Sequence, residues 1–273
     1  MNGELAAWYR EEGRHALPWR ASRDRWTVLV SEVMLHQTQV ARVQAVFDAF
    51  MAEFPTPEAT AAAGPAAVIK AWGRLGYPRR ALRLWESAAR VAEAGWPDDL
   101  SELPGVGRYT AAAVAAQVDG DDRIGIEVNI RRVCERVRGE RLSDRDAETC
   151  AREIGDGLGP RDRLLAIMDL GATICTARAP ACDRCPIVGG CATRGPHAEE
   201  TKHRQGRFAG SFRQRRGQAM ARLREGPVAA VELDGEVLAS LLDDGLAEVT
   251  RGRAHLPRAP RKGSSQSGGA RRR

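Results

Sequence analysis

Apolar residues recur at three- and four-residue steps through most of the first 200 residues. The pattern runs through Val28–Phe50, Ala66–Trp72, Ala81–Ala92, Tyr109–Val118 and Leu164–Ile174. Such steps place the apolar side chains on one face of a helix. Pro and Gly interrupt the pattern at Pro55, Gly64-Pro65, Gly76-Tyr77-Pro78, Trp96-Pro97 and Pro104-Gly105, where the backbone turns or loses a donor. No convincing strand is present here. The pattern predicts an all-α first domain over residues 1–197, built from several short helices.

The pattern changes further on. Residues 198–210 are polar and charged and read as a linker. A second compact unit is expected over 211–257, with helices at Phe212–Arg224 and Glu236–Asp243. A short segment opens at Val231-Glu232-Leu233. Leu246–Val249 and Ala254–Leu256 read as two strands joined by a basic turn, Thr250–Arg253. Two helices and a β-wing fit a small winged-helix-like domain. Residues 258–273 are rich in Ser, Gly and Arg and end in three arginines. They are expected to form a disordered basic tail that gives at most non-specific phosphate contacts.

Charge narrows the choice of partner. The chain has 42 Lys and Arg against 36 Asp and Glu, a net charge of +6, and a pI near 9.3. That balance favours a polyanionic partner over an acidic-surface role. Residues 1–16 are polar and amphipathic and lack the apolar stretch of a signal peptide. No segment approaches the length of a membrane span. A cytoplasmic protein without a membrane partner is expected.

The cysteines carry the first chemistry. Cys175, Cys182, Cys185 and Cys191 stand as C-x6-C-x2-C-x5-C. A cytosolic chain keeps its thiols reduced, so such a run reads as a metal site rather than as disulfides. Zinc sites usually show two short Cys pairs some 12–20 residues apart, and here one short pair exists. Four thiolates also suit a [4Fe–4S] cluster, the reading the spacing favours over zinc or unliganded thiols. Cys134 and Cys150 lie outside the run and read as buried thiols.

Leu103-Pro104-Gly105-Val106-Gly107-Arg108-Tyr109-Thr110 is expected to join two helices by a Gly-rich hairpin. Gly105 and Gly107 let backbone approach a ligand closely. The N–H groups that open the next helix favour an anion such as a nucleic-acid phosphate. Alone the turn is equally an ordinary helix connection; beside the four-cysteine run it gains weight. Arg79, Arg80, Arg131 and Arg132 are further candidate phosphate partners.

Together, the Leu-Pro-Gly-Val-Gly-Arg-Tyr-Thr-Ala segment and the cysteine run resemble helix-hairpin-helix DNA glycosylases that carry an iron–sulfur cluster, most of all the adenine-specific MutY type. Further matching segments are Leu17-Pro18-Trp19-Arg20, Ser31–Val40, Gly73-Arg74-Leu75-Gly76-Tyr77 and Met168-Asp169-Leu170-Gly171-Ala172. The match covers residues 5–195. It implies the helix-hairpin-helix glycosylase fold, a [4Fe–4S] cofactor and base excision from double-stranded DNA by a monomer. By the resemblance, Glu32 is the general acid that protonates the target adenine. Glu127 takes the place of the carboxylate that stabilises the sugar cation. Tyr109 stands where bifunctional relatives carry a lysine nucleophile, which implies a monofunctional enzyme. Gln37 corresponds to the residue that wedges into the duplex; Leu75 and Tyr77 to residues at the opposite base; Trp19, Arg20, His36 and Asp169 to the base pocket. Asn129, Gly105, Gly107 and Arg108 would contact DNA.

The chain departs from the pattern at four places. Glu127 replaces an aspartate, Val128 a small residue and His36 a glutamine, and 211–257 lacks the glutamate-rich motif of a Nudix-like domain. Trp19 and Leu75 also read as core residues, Arg20 as an ion-pair partner, Glu127 as a surface acid and His36 as a structural histidine. Two other functions fit the same residues: a glycosylase for thymine, uracil or a modified base, and a catalytically weak lesion-binding paralogue.

Overall fold

A computed structural model of the chain describes residues 3–196 and 206–259. Most of the predicted linker, and the basic tail from 260 onward, lie outside the described residues. Those described are mainly helical: α1 (Glu4–Glu12), α2 (Arg25–Leu35), α3 (Val40–Glu53), α4 (Pro57–Ala63), α5 (Pro65–Trp72), α6 (Arg79–Ala94), α7 (Arg108–Val118), α8 (Val128–Arg138), α9 (Asp144–Ile154), α10 (Pro160–Thr173), α11 (Phe212–Glu225) and α12 (Gly235–Asp243), with strands β1 (Val228–Ala229), β2 (Glu248–Thr250) and β3 (Arg253–His255).

Local signals set the helix ends. Asp24 caps α2 by accepting the Thr27 N–H at 2.7 Å, Ser143 caps α9, and Pro160 opens α10 at a position that needs no donor. The run Val28–Phe50 is two helices rather than one. It breaks at 36–39, where Gln37 takes φ +52, a left-handed conformation uncommon outside glycine. Helices α1, α4, α8 and α9 escape the periodicity reading. In α8, Val128–Arg138, four arginines interrupt the apolar stripe, and Arg136 among them is buried.

The chain divides into two compact units. The first takes residues from Met1–Thr56 and Glu93–Gly206, the second from Pro57–Ala92 and Arg207–Arg273. This grouping differs from the linear division at 198–210. Helices α4–α6 close a core with the C-terminal elements, because α11 packs on α5 as well as on α12. In the first unit, α10 lies at the centre against α1, α7, α8 and α9. Leu164, Leu165, Ile167 and Leu170 of α10 meet Ala113, Ala116, Ile130, Val133, Val137, Leu5 and Tyr9 in the core, burying roughly 1.5–3 kcal/mol of transfer free energy for each large aliphatic side chain.

In the second unit a small antiparallel sheet of order β1-β3-β2 takes β1 from between α11 and α12 and the β2–β3 hairpin from after α12. The wing is shifted from its expected register. Glu248 pairs with His255 and Thr250 with Arg253, leaving a two-residue turn of Arg251 (φ +51) and Gly252 (φ +70). Both left-handed conformations suit the right-handed twist of a tight hairpin. Hydropathy at 246–256 marks the hairpin but not which pair of residues turns.

Candidate active site

Glu32 lies on α2 amid Val28, Leu29, Val33 and Met34, and only 5% of it is exposed. A carboxyl so buried needs partners. Gln117 donates to its Oε1 at 2.8 Å and the Tyr109 hydroxyl to its Oε2 at 3.2 Å. Tyr109, Ala113 and Gln117 share one stripe of α7, so that helix presents both donors to α2. Burial pushes the Glu32 carboxyl above its ordinary value. The bonds from Gln117 and Tyr109 and the charge of Arg20 oppose that rise, while the charge of Glu127 adds to it. Burial and then the charge of Glu32 push the Tyr109 hydroxyl well up, so it stays a neutral donor. Its oxygen also lies 3.7 Å from Met168 Sδ. Gly125 makes room for the ring: a Cβ there would stand 2.8 Å from both Tyr109 Cδ2 and the Tyr109 carbonyl oxygen.

Glu127 is the N-cap of α8. Its Oε1 accepts the N–H groups of Asn129 and Ile130, each at 2.8 Å, and its Oε2 accepts Asn129 Nδ2 at 3.0 Å. Burial raises this carboxyl, against the pull of those N–H groups and of Arg132. The capping bonds and the positive end of the helix favour a carboxylate here. Val128 beside it is 71% exposed. Asn129 is held in turn by Arg132, whose Nη2 donates to Asn129 Oδ1 and to the Gly171 carbonyl oxygen, both at 2.6 Å. Gly171 admits α8 closely, since a Cβ there would meet Asn129 Cβ at 2.7 Å.

Of three other candidates, Asp169 and Trp19 are buried and His36 is half-buried. Asp169 is fully buried and binds two cations: Arg20 Nη2 at 2.9 Å and Arg14 Nε at 2.7 Å, with the Arg14 backbone N–H at 3.0 Å. Trp19 is buried edge-on against Phe47 at 5.3 Å. His36 Nε2 lies 3.0 Å from Thr110 Oγ1. The sequence reading missed Arg14, Gln117, Gly125 and Met168. The one signal for Gln117 was a lone amide on the apolar face of α7.

The hairpin differs from the expected pair of helices in its first arm, which is a single 3-10 turn, Leu100–Glu102, because Asp99 and Pro104 bracket it too closely for a full helix. Gly105 takes φ +79. Gly107 is the N-cap of α7 without a side-chain cap, and a Cβ there would meet nothing within 4 Å. The hairpin thus presents exposed Gly105, Gly107 and Arg108 beside the open N-terminus of α7, an anion site by its dipole and N–H groups. Gln37 is exposed at the strained α2–α3 break.

The expected phosphate arginines serve the protein's own contacts. Arg131 reaches the Leu142 carbonyl and Asp144, and Arg132 also donates to the Cys175 carbonyl at 2.7 Å. In the second unit Arg79 pairs with Asp244, and Arg80 lies over the rings of Trp72 and Tyr77 at 5.3 and 5.4 Å. Of the two opposite-base candidates there, Tyr77 is 48% exposed at φ +47, whereas Leu75 is 3% exposed and packs inward.

The four-cysteine loop follows α10. Arg136 Nη1 donates to Cys175 Sγ at 3.2 Å, and the Gly195 N–H to Cys182 Sγ at 3.4 Å. Cys175, Cys182 and Cys191 all act electrostatically on Cys185, whose thiol burial pushes up to about 11. Four free thiols in one loop, Cys175, Cys182, Cys185 and Cys191, are the donor set that a [4Fe–4S] cluster takes. Cys134 and Cys150 are buried as expected.

This combination of hairpin, buried carboxyl and cysteine loop is matched by known proteins. Residues 30–154 match the HhH-GPD superfamily of base excision DNA repair proteins. Residues 175–191, the cysteine run itself, match the iron–sulfur binding domain of endonuclease III. The adenine DNA glycosylase of Mycolicibacterium smegmatis is 42% identical over 90% of this chain and 92% of its own length. That of Mycobacterium tuberculosis H37Rv is 41% identical over 93% and 92%. A thermostable thymine-DNA glycosylase structure superposes with a TM-score of 0.62, at 28% identity over 70% of this chain and 93% of its own. The chain therefore belongs to the HhH-GPD superfamily of base excision DNA repair proteins, in its adenine DNA glycosylase family. It is a DNA N-glycosylase of helix-hairpin-helix fold, with DNA as its partner and a [4Fe–4S] cluster as its cofactor. Cys175, Cys182, Cys185 and Cys191 would hold that cluster, one at each iron. Among the described residues no helix is long and apolar enough to cross a membrane.

Proposed function

We propose that this chain, as a monomer, excises adenine mispaired with 8-oxoguanine or guanine in double-stranded DNA and leaves the strand uncut. The observation that carries the reading is the pair of carboxyls: Glu32 buried and held by Gln117 and Tyr109, and Glu127 at the N-terminus of α8. The names of the two mycobacterial relatives support the choice of base.

In this reading the duplex lies on the hairpin, with a phosphate at Gly105, Gly107 and Arg108. Gln37 and Tyr77 are the wedge and the opposite-base contact; both are exposed and hold the left-handed backbone that functional positions often store. Flipping the adenine out costs a few kcal/mol. Glu32, whose carboxyl burial raises, gives its proton to a ring nitrogen of the base, and Gln117 and Tyr109 orient the carboxyl. The C1′–N bond breaks and leaves positive charge on the sugar. Glu127 lies in its field as a carboxylate, and water completes the hydrolysis. Asp169 acts from behind by fixing Arg20 and Arg14, not as a pocket wall. Tyr109 offers no amine for a Schiff base, so no lyase step follows. Arg136 and Arg132 tie the 175–191 loop to α8 at Cys175, one of the residues that would hold the cluster.

A panel of duplexes carrying A opposite 8-oxoguanine, A opposite G, T opposite G and U opposite G tests this, with abasic sites revealed by hot alkali. Cleavage of the two adenine duplexes, and only after alkali, is expected. Preference for T or U would reassign the base, strand breaks without alkali would overturn the monofunctional reading, and binding without excision would point to a lesion-binding paralogue.

A further inference from the structure

We infer that helices α11 and α12 form a positioning device for the loop Gly73–Pro78, gripping it at both ends, and that Asp244 and Arg224 are the points of grip. The inference rests on the reading that this loop meets the base opposite the target.

The loop connects the end of α5 to the start of α6, and the C-terminal elements hold both. Arg224 of α11 donates through Nε to the Ile69 carbonyl oxygen at 3.3 Å. That carbonyl belongs to the last turn of α5, where helix acceptors lack an internal partner, so Arg224 finishes the helix from outside. At the other end, Arg79, the first residue of α6, pairs with Asp244 Oδ1 at 3.0 Å. Asp244 is the C-cap of α12 and is also held by Arg216 of α11. Gly245 follows with φ +68, and a Cβ there would lie 3.4 Å from Leu82 of α6.

The placement of these charges argues for a link rather than for helix stability. An acid at the C-terminus of α12 and a cation at the N-terminus of α6 each oppose their own helix dipole. An exposed pair is worth little by itself. What the pair does is fix the start of α6 against α12. Between the grips, the loop is braced from inside: Trp72 Nε1 and Arg80 Nη2 both donate to the Gly76 carbonyl, at 3.0 and 3.2 Å. Arg80 lies over the Tyr77 ring. The exposed Tyr77 is therefore oriented by a loop whose ends are set from the C-terminal helices. A domain that touches no base can tune base discrimination in this way.

The test measures dissociation constants of full-length protein for duplexes that differ only in the base opposite adenine. Asp244→Asn and Arg224→Gln should each reduce the preference for 8-oxoguanine over cytosine opposite by about threefold to tenfold, the span of coupling carried by remote contacts. Asp244→Glu should keep the preference. Asp244→Asn should leave the single-turnover excision rate at saturating enzyme unchanged. If Arg79→Gln lowers discrimination as Asp244→Asn does and the double variant adds nothing, the two act as one contact. Equal loss of affinity on every duplex, or unchanged discrimination in both Asp244→Asn and Arg224→Gln, overturns the inference. Because the readout is binding, failure of the wild type to excise adenine sinks the substrate assignment separately.

Discussion

Glu32 shows how one residue's surroundings define its chemistry. Its carboxyl is raised by burial, so the proton it would deliver is present at and above the ordinary carboxyl value of 4.5. Excision is expected to decline as pH climbs past the raised value. Glu32→Gln should abolish excision and leave DNA binding nearly intact; single-turnover cleavage beside a binding titration checks both, and unchanged excision removes Glu32 from the mechanism. Stability has a definite sign. A raised carboxyl binds its proton more tightly in the folded chain, so folded stability is fully present below the ordinary value and is lost as pH rises toward the raised one. Glu32→Gln should then gain stability relative to wild type across that window, seen in melting temperature against pH.

Glu127 is the second test at this scale. Its carboxylate bends back to cap α8, so it is fixed although the side chain is longer than the family's aspartate. Glu127→Gln should lose most excision, about 100-fold, since an amide cannot balance a developing cation. Glu127→Asp should match or raise activity on adenine opposite 8-oxoguanine if the site is an ordinary adenine site. Wild-type behaviour of Glu127→Gln on every active duplex would remove the two-carboxylate mechanism.

At the scale of elements, the site depends on how closely α8 and α10 approach. Gly171 lets them meet, and the Arg132 fork then ties Asn129 to the Gly171 carbonyl. Gly171→Ala would push a methyl into Asn129 and should cost about 1–3 kcal/mol by overpacking. The same shift moves the N-terminus of α8 and Glu127 with it, so excision should fall about 10- to 100-fold, as small displacements near reacting groups do. Chemical denaturation and single-turnover rates measure the two losses; a silent Gly171→Ala would refute the close approach. The glycine was legible in the sequence as part of Met168–Ala172, but its reason was not. A motif gives no distance, and the reason is a 2.7 Å clash with a residue 42 positions earlier. Helix α8 itself was hidden for a related cause. Arg132 and Arg136 break its apolar stripe because they point at Cys175, not at water.

At the scale of the whole molecule, charge and cofactor set the predictions. The net charge of +6 and the open N-terminus of α7 should make affinity for duplex fall steeply with salt; a flat plot of log affinity against log salt would refute backbone-led binding. Anaerobically purified protein should be brown and hold about four irons per chain, as one cube requires; stoichiometric zinc without iron would overturn the cofactor assignment. Cys182→Ser should weaken folding or DNA affinity, read by melting and titration, because the loop it anchors packs against Arg136 of α8 through Cys175.

By itself the sequence determined what local rules and ordered motifs can carry. These are the helical periods, the Gly-rich hairpin before α7, the four thiols at cluster spacing and the acids at 32 and 127. Each depends on residues adjacent in the chain or on chemistry that a side chain has anywhere. The tertiary structure decided what those residues do. Gln117 reaches Glu32 across 85 positions, and Arg14 and Arg20 reach Asp169 across about 150, so neither partnership leaves a trace in local pattern. Asp169 and Leu75 proved to face inward because burial depends on what packs over a side chain. Helices α4–α6 joined the C-terminal elements because an apolar face pairs with whatever surface closes over it, and hydropathy names the face without naming its partner.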